Sequence, residues 1–136
     1  HVTVLRLLVA GPATDAQGLR AMQGGLARGY GFALTEGRQC GADFATPRLT
    51  DHRLPFVFEL PELEIAAIGP AGAAVPAPAD LAALTFANVA PALGNAIRDA
   101  AGCRITQLPM TPACVLSALQ ARGDGVPDPR NTGETA

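Results

Sequence analysis

Few side chains in this chain have types and spacings that could do chemistry. The thiols are Cys40, Cys103 and Cys114, and the imidazoles are His1 and His52. Thiolate and imidazole hold zinc and iron–sulfur clusters, but only when three or four converge, typically through a Cys-x-x-Cys step. No such step occurs here, and an odd number of widely spaced cysteines argues for reduced, mostly buried thiols. Cys103 and Cys114 are near enough for a bridge across a turn, which a reducing compartment disfavours. His52 has no second ligand near it in sequence and reads as a surface or strand-edge residue. Glu62 and Glu64, two apart, share one face of a strand, where solvated carboxylates are commoner than a paired acid and base. Gln23-Gly24-Gly25 offers an amide beside two bare backbone positions, which suits close packing of a helix or contact with a ligand. Nothing forms a Ser-His-Asp set, and no glycine-rich loop carries the Lys and Ser/Thr of a phosphate cradle. A free-standing hydrolase or nucleotide-binding enzyme is therefore disfavoured.

The elements that must position these groups are legible in part. Val2 to Ala10 is β-branched and leucine-rich and ends at Gly11-Pro12, which predicts a strand. Asp15 is placed to cap a helix on which Leu19, Met22, Leu26, Tyr30 and Ala33 share a face, ending at Gly37. Gly18, Gly24, Gly25, Gly29 and Gly31 within it each cost about 0.5 to 1 kcal/mol against alanine. Another backbone or a ligand lying against that face would compensate. If Gly24 and Gly25 permit close approach of a partner or cofactor, Gly25→Leu should disrupt assembly and Gly25→Ala should be comparatively mild, because steric load grows with side-chain volume. Short extended segments are expected over Phe44 to Leu49 and Glu62 to Ile68, with a coil at residues 50–55. The alanine-, proline- and glycine-rich run 69–80 reads as a connector. Asn88 is expected to cap a helix with Pro91 in its first turn, the stripe Val89, Leu93, Ile97 and Ala100, and Gly102 as its stop. A strand over Cys103 to Leu108 should follow, then a helix opened by Thr111-Pro112 with Val115, Leu116 and Leu119 inward. This order predicts an α+β fold, a mixed sheet with helices on one face. Residues 1–122 are read as one domain and 123–136 as a flexible tail.

Composition narrows the function classes. A chain of 136 residues with formal charge −2 shows no basic footprint for nucleic acid. No apolar run approaches the ~20 residues of a membrane span, and the first residues lack the pattern of a signal peptide. Cytoplasmic placement is expected, or periplasmic if co-exported with a partner. Few aromatics and much alanine, glycine and proline favour a piece that packs against something larger.

Three blocks resemble one enzyme family, the molybdenum hydroxylases, which include xanthine dehydrogenases, aldehyde oxidases and isoquinoline oxidoreductases. VAPALGNAIRDAAGCRITQLPMTPACVLSAL, residues 89–119, is similar to the carboxyl end of their molybdopterin-binding subunit. Ala21-Met22-Gln23-Gly24-Gly25, followed by Gly29, Gly31 and Ala33-Leu34, resembles their Gln-Ile-x-Gly-Gly helix, with Ala21 where the family has glutamine. Residues 50–55, TDHRLP, and Pro61-Glu62-Leu63-Glu64-Ile65 resemble their Asp-Tyr-Arg-x-Pro and Pro-x-x-Glu-Val segments.

The resemblance implies a fold like part of the molybdenum-cofactor-binding domain. It also implies contact between the cofactor and Gln23, Gly24, Gly25 and the position of Ala83. In the family a Gly-x-Gly-Glu glutamate is the general base; counted back without gaps from Val89, its place falls on Ala83, which cannot accept a proton. No catalytic residue is therefore assigned, and loss of such a base costs roughly 10² to 10⁴ in rate. If the chain completes a metal site, Ala83 should face it; in a scaffold, Ala83 should be packed and apolar. The implied function is a small subunit or carboxyl-terminal portion of a molybdenum hydroxylase, inactive alone. It would complete an enzyme that hydroxylates an aldehyde or N-heterocycle with oxygen from water. Molybdenum-molybdopterin would be shared with a larger chain, and iron–sulfur clusters, with FAD or haem, would lie on other subunits of the hetero-oligomer. The alternative is a non-catalytic scaffold that keeps the fold.

Overall fold

The computed structural model describes residues 3–12, 15–36, 54–68 and 74–123. The segments expected at 44–49 and 50–53, the stop at Gly37, Cys40, both histidines and the tail from 124 lie outside them.

Strand β1, Arg6–Pro12, pairs in parallel with β2, Glu62–Ile68, in a register that sets Arg6 opposite Glu62 and Pro12 opposite Ile68. Alternation along each strand turns Leu7, Val9 and Leu63 toward the core and leaves Arg6, Leu8, Glu62 and Glu64 outside. A parallel pair needs a crossover, and helix α1, Ala16–Leu34, lies within it. The α+β class is as expected, and the sheet among the described residues is purely parallel rather than mixed.

Asp15 caps α1 as predicted, its Oδ1 accepting the Gly18 N–H at 2.8 Å. The helix ends at Leu34, where the Thr35 N–H and hydroxyl both donate to the Gly31 carbonyl. Met22, Leu26 and Ala33 are buried, Tyr30 is half-buried, and Leu19 is exposed.

Helix α2, Pro78–Ala101, has its N-cap at Ala77, eleven residues before the expected Asn88. Pro78 occupies the first turn, Asp80 faces the positive end of the dipole, and Leu81, Thr85, Val89, Leu93 and Ile97 form one buried ridge at every fourth residue. The ridge continues on both sides of Asn88, so no cap forms there. The Asn88 side chain instead donates to the Leu84 carbonyl at 2.9 Å. Pro91 sits inside the helix on its exposed side, where the carbonyl of Ala87, robbed of its donor, can meet water. Ala100 is exposed and stands off the ridge. Gly102 stops the helix as expected, at φ 69°, a left-handed conformation that a Cβ would oppose.

From Cys103 to Thr106 the run alternates in burial like a strand, with Cys103 and Ile105 inward and Arg104 and Thr106 outward, but Gln107 and Leu108 are both exposed. It forms no strand, because no described segment pairs with it. Its far end is pinned by Met110, whose N–H donates to the Ala33 carbonyl at 2.7 Å. Thr111 opens α3, Pro112–Gly123, its Oγ1 accepting the Cys114 N–H. Val115 is buried against the core, whereas Leu116 is 56% exposed and Leu119 is also outward, contrary to the predicted inward set. One buried cluster joins α1, α2, Cys103, Met110 and Val115.

Candidate functional site

Of the residues singled out by sequence, Gly25 and Gly29 lie where α1 crosses α2. One turn apart, they let the helices approach until backbone nearly touches backbone. A Cβ on Gly25 would collide with the Thr85 hydroxyl and the Ala82 carbonyl; one on Gly29 would lie 2.7 Å from Val89 Cβ and 2.9 Å from the Phe86 carbonyl. The bare face of α1 is therefore filled by α2, at least at these two positions. The Ala82 carbonyl belongs to rigid helix backbone, so the expectation that Gly25→Ala is mild does not hold.

Thr85, the buried polar residue of this seam, is satisfied: its hydroxyl lies 2.8 Å from the Leu81 carbonyl and 3.0 Å from the Ala82 carbonyl, donating across the pair. Beside it, the Phe86 ring tilts against Phe32 at 5.5 Å between centroids and carries the Arg28 guanidinium at 5.4 Å.

Gly25 is thus brought against the turn of α2 that contains Ala83, while Gln23, Gly24 and Ala83 are exposed. Apart from its own helix, none of the described residues lies within 4 Å of where a Gly24 Cβ would be. Ala83 is not packed among apolar neighbours, as a scaffold was expected to require, so a carboxylate there would meet no burial penalty. Among the described residues the seam offers amide, glycine and alanine, with no metal donor and no base. Among the described residues no three His, Cys, Asp or Glu side chains gather as a metal site. These residues do not fit a molybdenum centre held by this chain alone, and no catalytic step is derived through one.

Cys103 is buried and free; Cys114 is free and half-buried, its sulfur 3.3 Å from the Thr111 hydroxyl. Glu62 and Glu64 share the open sheet face, Glu64 pairing with Arg6 at 3.3 Å in an exposed ion pair of small energetic weight. Sequence reasoning missed a cleft of about 280 Å³ at the far end of α2, where Arg98 and Arg104 line one opening. Its only signal was two arginines flanking a helix-stopping glycine.

With this geometry in view, relatives become informative. Over 119 residues, 85% of the chain, it is 28% identical to a probable xanthine dehydrogenase subunit of Bacillus subtilis (strain 168). Over 116 residues, 80% of the chain, it is 36% identical to an aldehyde oxidoreductase of Megalodesulfovibrio gigas. The chain spans 16% and 12% of those two proteins. No family model matches it. The two relatives support, at low identity, a relation to the molybdenum hydroxylases. Among the described residues no helix is long and apolar enough to cross a membrane.

Proposed function

We propose that this chain serves as a subunit or closing segment of the molybdopterin-binding part of a molybdenum hydroxylase. In this reading it supplies fold and surface while a larger chain supplies most of the cofactor's cage. The observation that carries the reading is the similarity itself, which runs through 80 to 85% of this chain yet takes in only 12 to 16% of each relative. The fold adds independent support. Parallel sheets are nearly always covered on both faces, yet here helices cover one face while Leu8 on the other is 59% exposed.

Gln23 and Gly24 on α1 and Ala83 on α2 then form the part of the helix pair left for the larger chain and the cofactor it holds, with Gly25 acting behind them by setting the helix spacing. The whole complex would include an iron–sulfur electron carrier, with FAD or haem on another subunit, and would hydroxylate an aldehyde or N-heterocycle with oxygen from water. Residues 1–122 would act as one unit in it.

A second reading, a scaffold that keeps the fold in a complex without turnover, has in its favour that alanine cannot take a proton and against it that Ala83 is exposed rather than packed. Co-purification with the large cofactor chain, followed by metal analysis and a hydroxylase assay, tests both. Stoichiometric molybdenum in the complex and none in the chain alone is expected. Molybdenum bound by the chain alone, or no complex at all, overturns the assembly reading. Ala83→Glu separates the two: turnover raised by an added base supports a catalytic position, and unchanged turnover in an intact complex supports the scaffold.

A further inference from the structure

The cleft at the end of α2 is not used by anything above. Residues 103–110 fold back over the last turns of the helix, leaving an opening of about 280 Å³, close to the lower end of the roughly 300 to 1,000 Å³ of small-molecule pockets. Arg98, half-buried, lines it from the last turn of α2, and Arg104, exposed, lines it from the segment just past the Gly102 stop. Asn95, Thr106 and Gln107 line the same opening, and among the described residues no carboxylate does. Among the described residues neither guanidinium has an ion-pair or hydrogen-bonding partner, although the whole chain carries a net charge of −2. Two like charges on one concave surface repel unless an anion lies between them.

The walls are fixed before any ligand arrives. Cys103 and Met110, 5% and 2% exposed, anchor the two ends of the segment in the core, and Met110 Sδ lies 3.7 Å from where a Gly94 Cβ would stand. The backbone between them is therefore tethered at both ends, which lowers the cost of ordering it on binding, while the exposed side chains of Arg104, Thr106 and Gln107 remain to be ordered by the ligand. Pro91 and Leu108 add an apolar wall beside the arginines.

We propose that this cleft binds a small organic oxyanion, a phosphate or carboxylate with an apolar body. The planar forks of Arg98 and Arg104 would grip the anionic head, the Asn95, Thr106 and Gln107 side chains would supply neutral donors, and the body would lie against Pro91 and Leu108. The small volume, about 280 Å³, favours a small molecule over an acidic segment of another protein. A purely structural account, in which Arg98 only complements the negative end of the helix dipole, explains neither Arg104 nor the missing carboxylate. The proposal does not rest on the chain's place in a larger assembly.

Calorimetric titration of the full chain with inorganic phosphate, phenyl phosphate and benzoate tests it. Saturable one-to-one binding is expected, tighter for an aromatic anion than for inorganic phosphate; the better of phenyl phosphate and benzoate identifies the head group. Arg104→Gln and Arg98→Lys should each weaken binding about tenfold. Arg98→Lys keeps a cation for the helix dipole, so a loss there is a loss of the bidentate grip. Arg20→Gln, an exposed arginine of α1, should change nothing. No saturation at millimolar anion, equal weakening by Arg20→Gln, or tighter binding of a polyglutamate peptide than of any small anion would overturn the proposal.

Discussion

The seam between α1 and α2 and the outer face of the β1–β2 sheet treat side chains in opposite ways. At the seam the chain has removed them: Gly25 and Gly29 admit the backbone of α2, and Thr85 satisfies its hydroxyl within its own helix. On the outer sheet face and the neighbouring single 3-10 turn at Val57–Glu59 it has kept large apolar groups in water. Leu8 is one, and Phe56 and Phe58 stack at 5.3 Å between centroids with Phe58 81% exposed. One region is finished by the chain itself, and the other has the character of an interface awaiting a partner. Energy spent to order glycine goes where the chain closes on itself; apolar area is left where it does not.

Breaking the finished region should have the largest effect. Gly25→Ala gains helix propensity but forces a methyl group onto the Thr85 hydroxyl and the Ala82 carbonyl, and overpacking of this kind costs about 1 to 3 kcal/mol. Urea denaturation of the full chain should show that net loss, and a stability equal to wild type would mean that the helices do not cross so closely. The adjacent glycine should behave oppositely. Gly24→Ala meets nothing within 4 Å and should gain about 0.5 to 1 kcal/mol in the chain alone, while weakening capture of the large cofactor chain if that surface is covered in the complex. Stabilisation with full assembly would place the partner elsewhere.

How much of this was legible depends on whether the signal was local. The Asp15 cap, the β2 strand and the Gly102 stop depend on a residue and its near neighbours, and each was readable. The start of α2 was not, because a run rich in alanine and proline looks like a connector until Leu81 and Thr85 are seen to extend the ridge of Val89, Leu93 and Ile97. The segment after Gly102 has a strand's alternation without a strand's partner, and pairing is a tertiary fact. Leu116 and Leu119 fit a helical stripe, yet only the side of α3 bearing Val115 and Ala118 meets the core. For the candidate site, the glycines announced close approach but not what approaches, and α2 proved to be the occupant at Gly25. The arginine cleft was invisible because Arg98 and Arg104 join only when the chain turns back at Gly102.

The open region should respond through association rather than stability. Phe58→Ser removes a largely solvated ring, so the chain's own unfolding should change by no more than about 0.5 kcal/mol. Self-association in sedimentation, and capture of the large chain, should both fall. A destabilisation as large as that of Gly25→Ala would show that the ring is packed within the chain after all.

The smallest effect tests the border between the two regions. Tyr30 packs half-buried against the core, and its hydroxyl is pushed above its ordinary 10.0, first by desolvation and second by the negative charge of Glu59 in the exposed turn. Because the folded value is raised, Tyr30 contributes stability that is fully present below about pH 10 and is lost as pH rises through the folded value. The chain has one tyrosine and no tryptophan, so tyrosinate absorbance reports this group alone. Its midpoint should lie above that of the chain unfolded in urea, and Tyr30→Phe should remove that part of the alkaline loss of stability. Glu59→Gln should lower the midpoint only in part, since burial is the larger cause. Complete return to the unfolded midpoint would instead make the Glu59 charge the dominant cause. It would also show that water reaches Tyr30 freely and that the open region extends farther into the molecule than the burial of α1 indicates.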